Sequence, residues 1–159
     1  MKRFIPLIIF LFALPVTAQI SLTDGPAVNG LRLGATYKAI IAKFGTPLRD
    51  KTNTMDECIG DRTRVVNYPG LEFELAESDG TFTVYAFEVT SPKYNVSGVK
   101  VGDTPAAVQK RFGSVRRTVE RVKTGPHWFY DMTDENPGGT SFYFRNGRLF
   151  SISTTYAMC

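Results

Sequence analysis

The chain has 159 residues, of which 43% are hydrophobic, 13% aromatic and 21% charged, with a formal charge of +4 at neutral pH. That composition excludes a disordered or fibrous chain and suits one domain or two very small ones. Lys2 and Arg3 belong to an expected leader, which leaves about +2 on the rest, too little to imply a nucleic-acid partner. One His and two Cys leave no room for a Cys/His zinc site or a haem attachment motif, so neither metal nor cofactor is expected.

Residues 1–18 read as an export signal: Met-Lys-Arg, the apolar run FIPLIIFLFALPV, then Thr17-Ala18. Pro6, Pro15 and the shortness of the run argue against a spanning helix. Cleavage is expected before Gln19, and no later segment has the length and apolarity of a span. The expected location is therefore periplasmic or secreted in a bacterium. Export to an oxidising compartment makes Cys58 and Cys159, the only two cysteines, an expected disulfide.

Two segments of the remaining chain match at a constant offset. GLRLGATYKAIIAKFG at 30–45 and GVKVGDTPAAVQKRFG at 98–113 share their glycines, threonine and Phe-Gly ending. This predicts an internal repeat, with a first unit at 19–96 and a second at 97–159. Thr36 and Thr104 suit helix N-caps, Pro105 the first helical position, and Gly45 and Gly113 the stops. Strand-like segments follow each helix: 64–68, 71–75 and 82–89 in the first unit, 115–122, 128–132, 141–144 and 148–155 in the second. Asp79-Gly80 and Asn146-Gly147 are hairpin signals. The expected fold class is α+β, two tandem units, each a short helix on an antiparallel sheet of three to four strands. Units of about 65 residues bury marginal cores, so the two are expected to share a sheet or a tight interface.

Alternation assigns faces. Phe142, Phe144, Phe150 and Ile152 are expected on one face, Tyr143, Ser151 and Ser153 on the other. In the segment HWFYD, Trp128 and Tyr130 are expected inward, His127, Phe129 and Asp131 outward. Phe129 and Tyr143 become the expected binding anchors, with His127 and Arg145 beside them. No catalytic constellation is found: His127 has no nucleophile elbow near it in sequence. The acidic groups Asp131, Asp134, Glu135 and Asp56, Glu57, Asp61 lack ligand spacing and read as surface. Charge is uneven, with 8 Lys and Arg against 10 Asp and Glu in residues 19–96 and 9 against 5 in 97–159. The basic segment from Lys110 to Lys123 reads as a solvated face.

The twice-occurring pattern, glycine, apolar, basic, apolar, glycine, then Thr and a Phe-Gly ending, resembles the superfamily of the β-lactamase inhibitory protein and the BamE/SmpA-type outer-membrane assembly lipoprotein. The resemblance implies an exported bacterial protein that binds another exported or envelope protein and catalyses nothing. Gln19 stands where the lipoprotein has its lipidated Cys, and one expected disulfide stands where the inhibitor has one per unit. The alternative is an envelope protein binding a small ligand or peptidoglycan in a groove between the units, its pocket lined by Trp128 and Tyr130.

Overall fold

The computed structural model describes residues 25–53, 62–113, 117–122, 125–131 and 138–157. Its elements in chain order are α1 (Tyr37–Phe44), β1 (Arg49–Thr52), β2 (Thr63–Tyr68), β3 (Leu71–Ser78), β4 (Thr81–Val89), α2 (Pro105–Phe112), β5 (Arg117–Val122), β6 (Gly125–Asp131), β7 (Gly138–Arg145) and β8 (Arg148–Tyr156).

Both helices begin and end where the sequence provides the chemistry. The Thr36 hydroxyl accepts from the Ala39 N–H, and the Thr104 hydroxyl from the Ala107 N–H, each at 3.3 Å. Gly45 and Gly113 close the helices at φ 78° and 74°, a region that favours glycine. A tyrosine hydroxyl then holds each closing carbonyl: Tyr68 donates to Gly45 O at 2.8 Å and Tyr130 to Gly113 O at 2.9 Å. Eight-residue helices are marginal alone. Their stability comes from packing Ile40, Val108 and Phe112 into the sheet.

The strands form one antiparallel sheet in the order β1-β2-β3-β4-β8-β7-β6-β5. Asp79 and Asn146 both have φ 50°, followed by Gly80 and Gly147 at 73° and 71°, the left-handed pair that makes a tight hairpin. The expectation of two tandem units, and with it the internal repeat as an architecture, is corrected here. β4 pairs with β8 through Ala86↔Thr155, Phe87↔Thr154, Glu88↔Ser153 and Val89↔Ile152, so the strands make one sheet. The physical reason is that a set of four strands ending at β4 or β8 would leave a row of unpaired N–H and C=O groups, and joining the edges satisfies both.

One core lies beneath both helices. Leu71, Phe73 and Phe87 belong to the same buried cluster as Phe142, Phe144 and Ile152. The chain around Val28 crosses the chain around Val96, with Asn29 N–H donating to Asn95 O and Ser97 N–H to Ala27 O. The chain at the expected boundary between residues 96 and 97 is thus paired backbone. Gly138 and Gly139 open β7. The expected leader, Cys58 and Cys159 lie outside the described residues, no disulfide is found among those described, and the Cys58–Cys159 pairing is withdrawn.

Candidate functional site

Both helices cover the face of the sheet that carries Tyr68, Phe73, Tyr130 and Phe142, as the ring contacts of Phe44 and Phe112 show. The opposite face, called outer below, has no helix or strand packed on it among the described residues. Strand parity decides what it displays.

On β6 and β7 the outer face carries the four residues singled out from sequence. His127 is directly opposite Tyr143, and the two rings stack with centroids 4.6 Å apart and planes 5° apart. The Phe129 ring stands edge-on to His127 at 6.5 Å. It also lies on the backbone of Gly139, where a Cβ would fall 2.1 Å from the ring tip. His127, Phe129 and Tyr143 are half-buried and Arg145 is exposed. The Arg145 guanidinium sits 4.4 Å from the centre of the Phe150 ring, which in turn lies 6.2 Å from Tyr143.

Phe150 was expected inward and is outward. The register of β7 against β8 shifts between Tyr143 and Phe144, so that Phe144 faces Leu149 while Tyr143 faces Ser151. Phe150 is the extra residue of that bulge, and Leu149 takes the core position. A bulge leaves no mark in hydrophobic alternation when apolar residues stand on both sides of it.

Sequence reasoning missed the other end of the same face. On β3 the inward residues Leu71, Phe73 and Leu75 alternate with outward Glu72 and Glu74. Glu72 is directly opposite Glu88 of β4. Glu88 accepts from the Ser151 hydroxyl at 2.7 Å and Glu74 from the Tyr85 hydroxyl at 2.5 Å. The alternation in LEFEL was the available signal.

A second polar cluster lies at the helix side. Arg64 donates two hydrogen bonds to the Asp50 carboxylate, both at 2.7 Å, and Tyr37 adds one at 2.5 Å. The guanidinium also stacks on the Tyr37 ring at 3.7 Å. The Arg64 hydrogen bonds hold the Asp50 carboxyl below the usual carboxylate range, and the hydrogen bond to Asp50 raises the Tyr37 hydroxyl. This cluster ties the edge strand β1 to α1 and β2.

Trp128 and Tyr130 are 9% and 2% exposed and belong to the core. A cleft of about 500 Å³ opens beside α1 instead, lined by residues that include Leu31, Leu33 and Lys43. Among the described residues no group of three or more His, Cys, Asp or Glu could hold a metal ion, and no helix is long and apolar enough to cross a membrane.

No family model matches the chain, and no curated protein matches it. Solved structures do. One is described as an extracellular protein containing a SCP domain from Bacillus anthracis str. Ames, with a TM-score of 0.51 and 15% identity over 97% of this chain and 51% of that one. Another is described as a cysteine-rich secretory protein from Staphylococcus aureus subsp. aureus Mu50, also with a TM-score of 0.51 and 15% identity, over 87% of this chain and 50% of that one. The chain spans about half the length of these neighbours, and the likeness is one of fold. It overturns the expected membership in the superfamily of the inhibitory protein and the assembly lipoprotein, since the matched structures are SCP-domain and secretory proteins. The capped-helix signature that carried the resemblance encodes a local motif, which different folds can share.

Proposed function

We propose that this chain is an exported, non-catalytic interaction module that engages another protein through the outer face of β6, β7 and β8, with Phe129 and Tyr143 as anchors and His127 and Arg145 beside them. The observation that carries the reading is a sheet with both helices on one side and four aromatic rings gathered on the other. Aromatic side chains on an open face enlarge apolar exposure, a cost to solubility that an interface relieves.

The same geometry argues against acyl-transfer chemistry. The His127 Nε2 lies 3.1 Å from the Ser141 hydroxyl, a distance at which a base could serve a nucleophile. Ser141 stands in mid-strand, however, with β6 on one side and β8 on the other. Its neighbouring N–H groups belong to those ladders, which leaves no paired donors to stabilise an oxyanion. The extracellular descriptions of the two structural neighbours and the expected leader support an exported location.

The test is capture of partners from periplasmic and extracellular fractions with the purified protein as bait. Phe129→Ala and Tyr143→Ala should each weaken capture by about 2 kcal/mol or more, as truncation of an anchor does. Capture that neither substitution changes, with the fold intact by circular dichroism, refutes the assignment.

A further inference from the structure

The cleft of about 500 Å³ beside α1 lies apart from the outer face and has a chemistry of its own. Its volume is in the range of sites that hold small organic molecules. Leu31 and Leu33, both members of the buried core cluster, give it an apolar lining together with the methyl groups of Ala35 and Ala39. Ala39 and Lys43 stand four apart in α1 and so project from one face of that helix. Lys43 reaches back across the cleft, its Nζ 4.0 Å from where a Cβ would stand on Gly30. Arg32 also lines the cleft, and no acidic side chain does.

The matching stretch of chain beside α2 is closed by its own residues. Arg111 stands there as Lys43 does beside α1, and its Nε donates to Ser97 O at 2.6 Å. A Cβ on Gly98 would fall 2.7 Å from that Nε, so the guanidinium covers the turn. Asp103, at the position of Ala35, accepts from the Lys100 N–H at 2.8 Å. One cation is thus fastened to backbone. The other, Lys43, is exposed, has an apolar cleft beside it, and makes no ion pair among the described residues.

We infer that the cleft beside α1 binds an aliphatic carboxylate, its chain lying on Leu31 and Leu33 between Ala35 and Ala39 and its charged end on the Lys43 ammonium. A compact ammonium on a flexible stem suits a small, singly charged anion. The charge-assisted hydrogen bond holds one end of such a molecule, and removal of the chain from water holds the other. Each methylene that enters the cleft is worth up to about fourfold in affinity. A neutral alcohol of the same length forgoes the first interaction, and an alkylammonium is repelled by the same lysine.

The probes are butyrate, hexanoate and decanoate, with decanol and decyltrimethylammonium as controls, each titrated into the purified protein and followed by amide shifts in NMR. Affinity should rise from butyrate to decanoate, weaken as salt is added, and exceed that of both controls. Shifts should fall on residues 30–43. Lys43→Met keeps the stem and removes the charge, and it should cost decanoate at least about threefold while leaving decanol unchanged. Ala39→Leu fills the cleft from an exposed helical position with a good helix former, so it should abolish binding in a protein that melts no lower than the parent. Phe129→Ala and Tyr143→Ala should leave decanoate binding as it was, since the outer face takes no part. Decanol or decyltrimethylammonium binding as tightly as decanoate overturns the inference, as does decanoate binding that neither Lys43→Met nor Ala39→Leu changes. Shifts confined to β6, β7 and β8 would show adsorption on the exposed aromatic rings and refute the cleft as the site.

Discussion

Gly139→Ala, made alone and together with Phe129→Ala, tests how the outer face is built. A Cβ at position 139 would lie 2.1 Å and 2.3 Å from the Cζ and Cε2 atoms of Phe129, well inside van der Waals contact. The ring must leave the sheet or β7 must shift, and forced overpacking of this kind costs about 1–3 kcal/mol. For a chain of this size that corresponds to a loss of about 3–10 °C in melting temperature. Phe129→Ala removes the three atoms nearest to that Cβ, and Gly139 has no left-handed φ, so alanine should then cost clearly less than in the parent. The two substitutions should therefore couple by about 1–3 kcal/mol in a double-mutant cycle. Urea unfolding followed by the fluorescence of Trp128, the single tryptophan, provides the measurement. An equal cost of Gly139→Ala in both backgrounds would show that Phe129 does not lie on Gly139, and the geometry of the anchor would fall with it.

Three further outcomes are expected. Thr36→Ala and Thr104→Ala should each lower stability by about 1 kcal/mol in urea titrations, because each removes an observed N-cap hydrogen bond. Leu149→Ala should cost about 2–5 kcal/mol and Phe150→Ala clearly less, the reverse of what alternation alone implies; equal losses would contradict the bulge. Asp50 has a folded pKa below its unfolded one, so its contribution is present at neutral pH and disappears as pH falls through the folded value. Asp50→Asn should therefore be less stable than the parent at pH 7, and thermal melts of the two should converge as pH falls through the folded value, below the ordinary carboxylate range.

What the sequence disclosed was local. Caps, stops and hairpin turns depend on one or two residues with a required hydroxyl or a left-handed φ, and Thr36, Thr104, Gly45 and the Asp-Gly and Asn-Gly pairs are such residues. Period-two alternation placed Phe142, Phe144, Tyr143, Trp128 and Phe129 on the sides where they lie. It failed at Phe150, where a bulge shifts the phase by one residue. β1 went unread because Arg49, Asp50, Lys51 and Thr52 include no apolar residue; the strand is recognisable only through the Asp50 cluster and its ladder to β2. Small cores pointed to a shared sheet or a tight interface, but which edges join was hidden, since the pairing of β4 with β8 is made by backbone groups that every residue carries. The resemblance went astray for a related reason: a glycine-bounded, threonine-capped helix identifies a turn of chain, and says little about the number of strands beside it.

The place of β8 in the sheet sets the order in which the molecule can be assembled. β8 is the last strand in sequence and central in space, between β4 and β7. Val89 meets Ile152, and Ala86 meets Thr155, across more than sixty residues of chain. β1 to β4 can pair among themselves as hairpins, but their inner edge stays open until the final strand arrives. Such long-range closure slows folding, because loop entropy is spent before the contacts that reward it exist. A chain built this way holds a sticky, half-finished sheet throughout its synthesis, and a delay in completion is compatible with passage through a membrane in the unfolded state. The last strand acts as the latch.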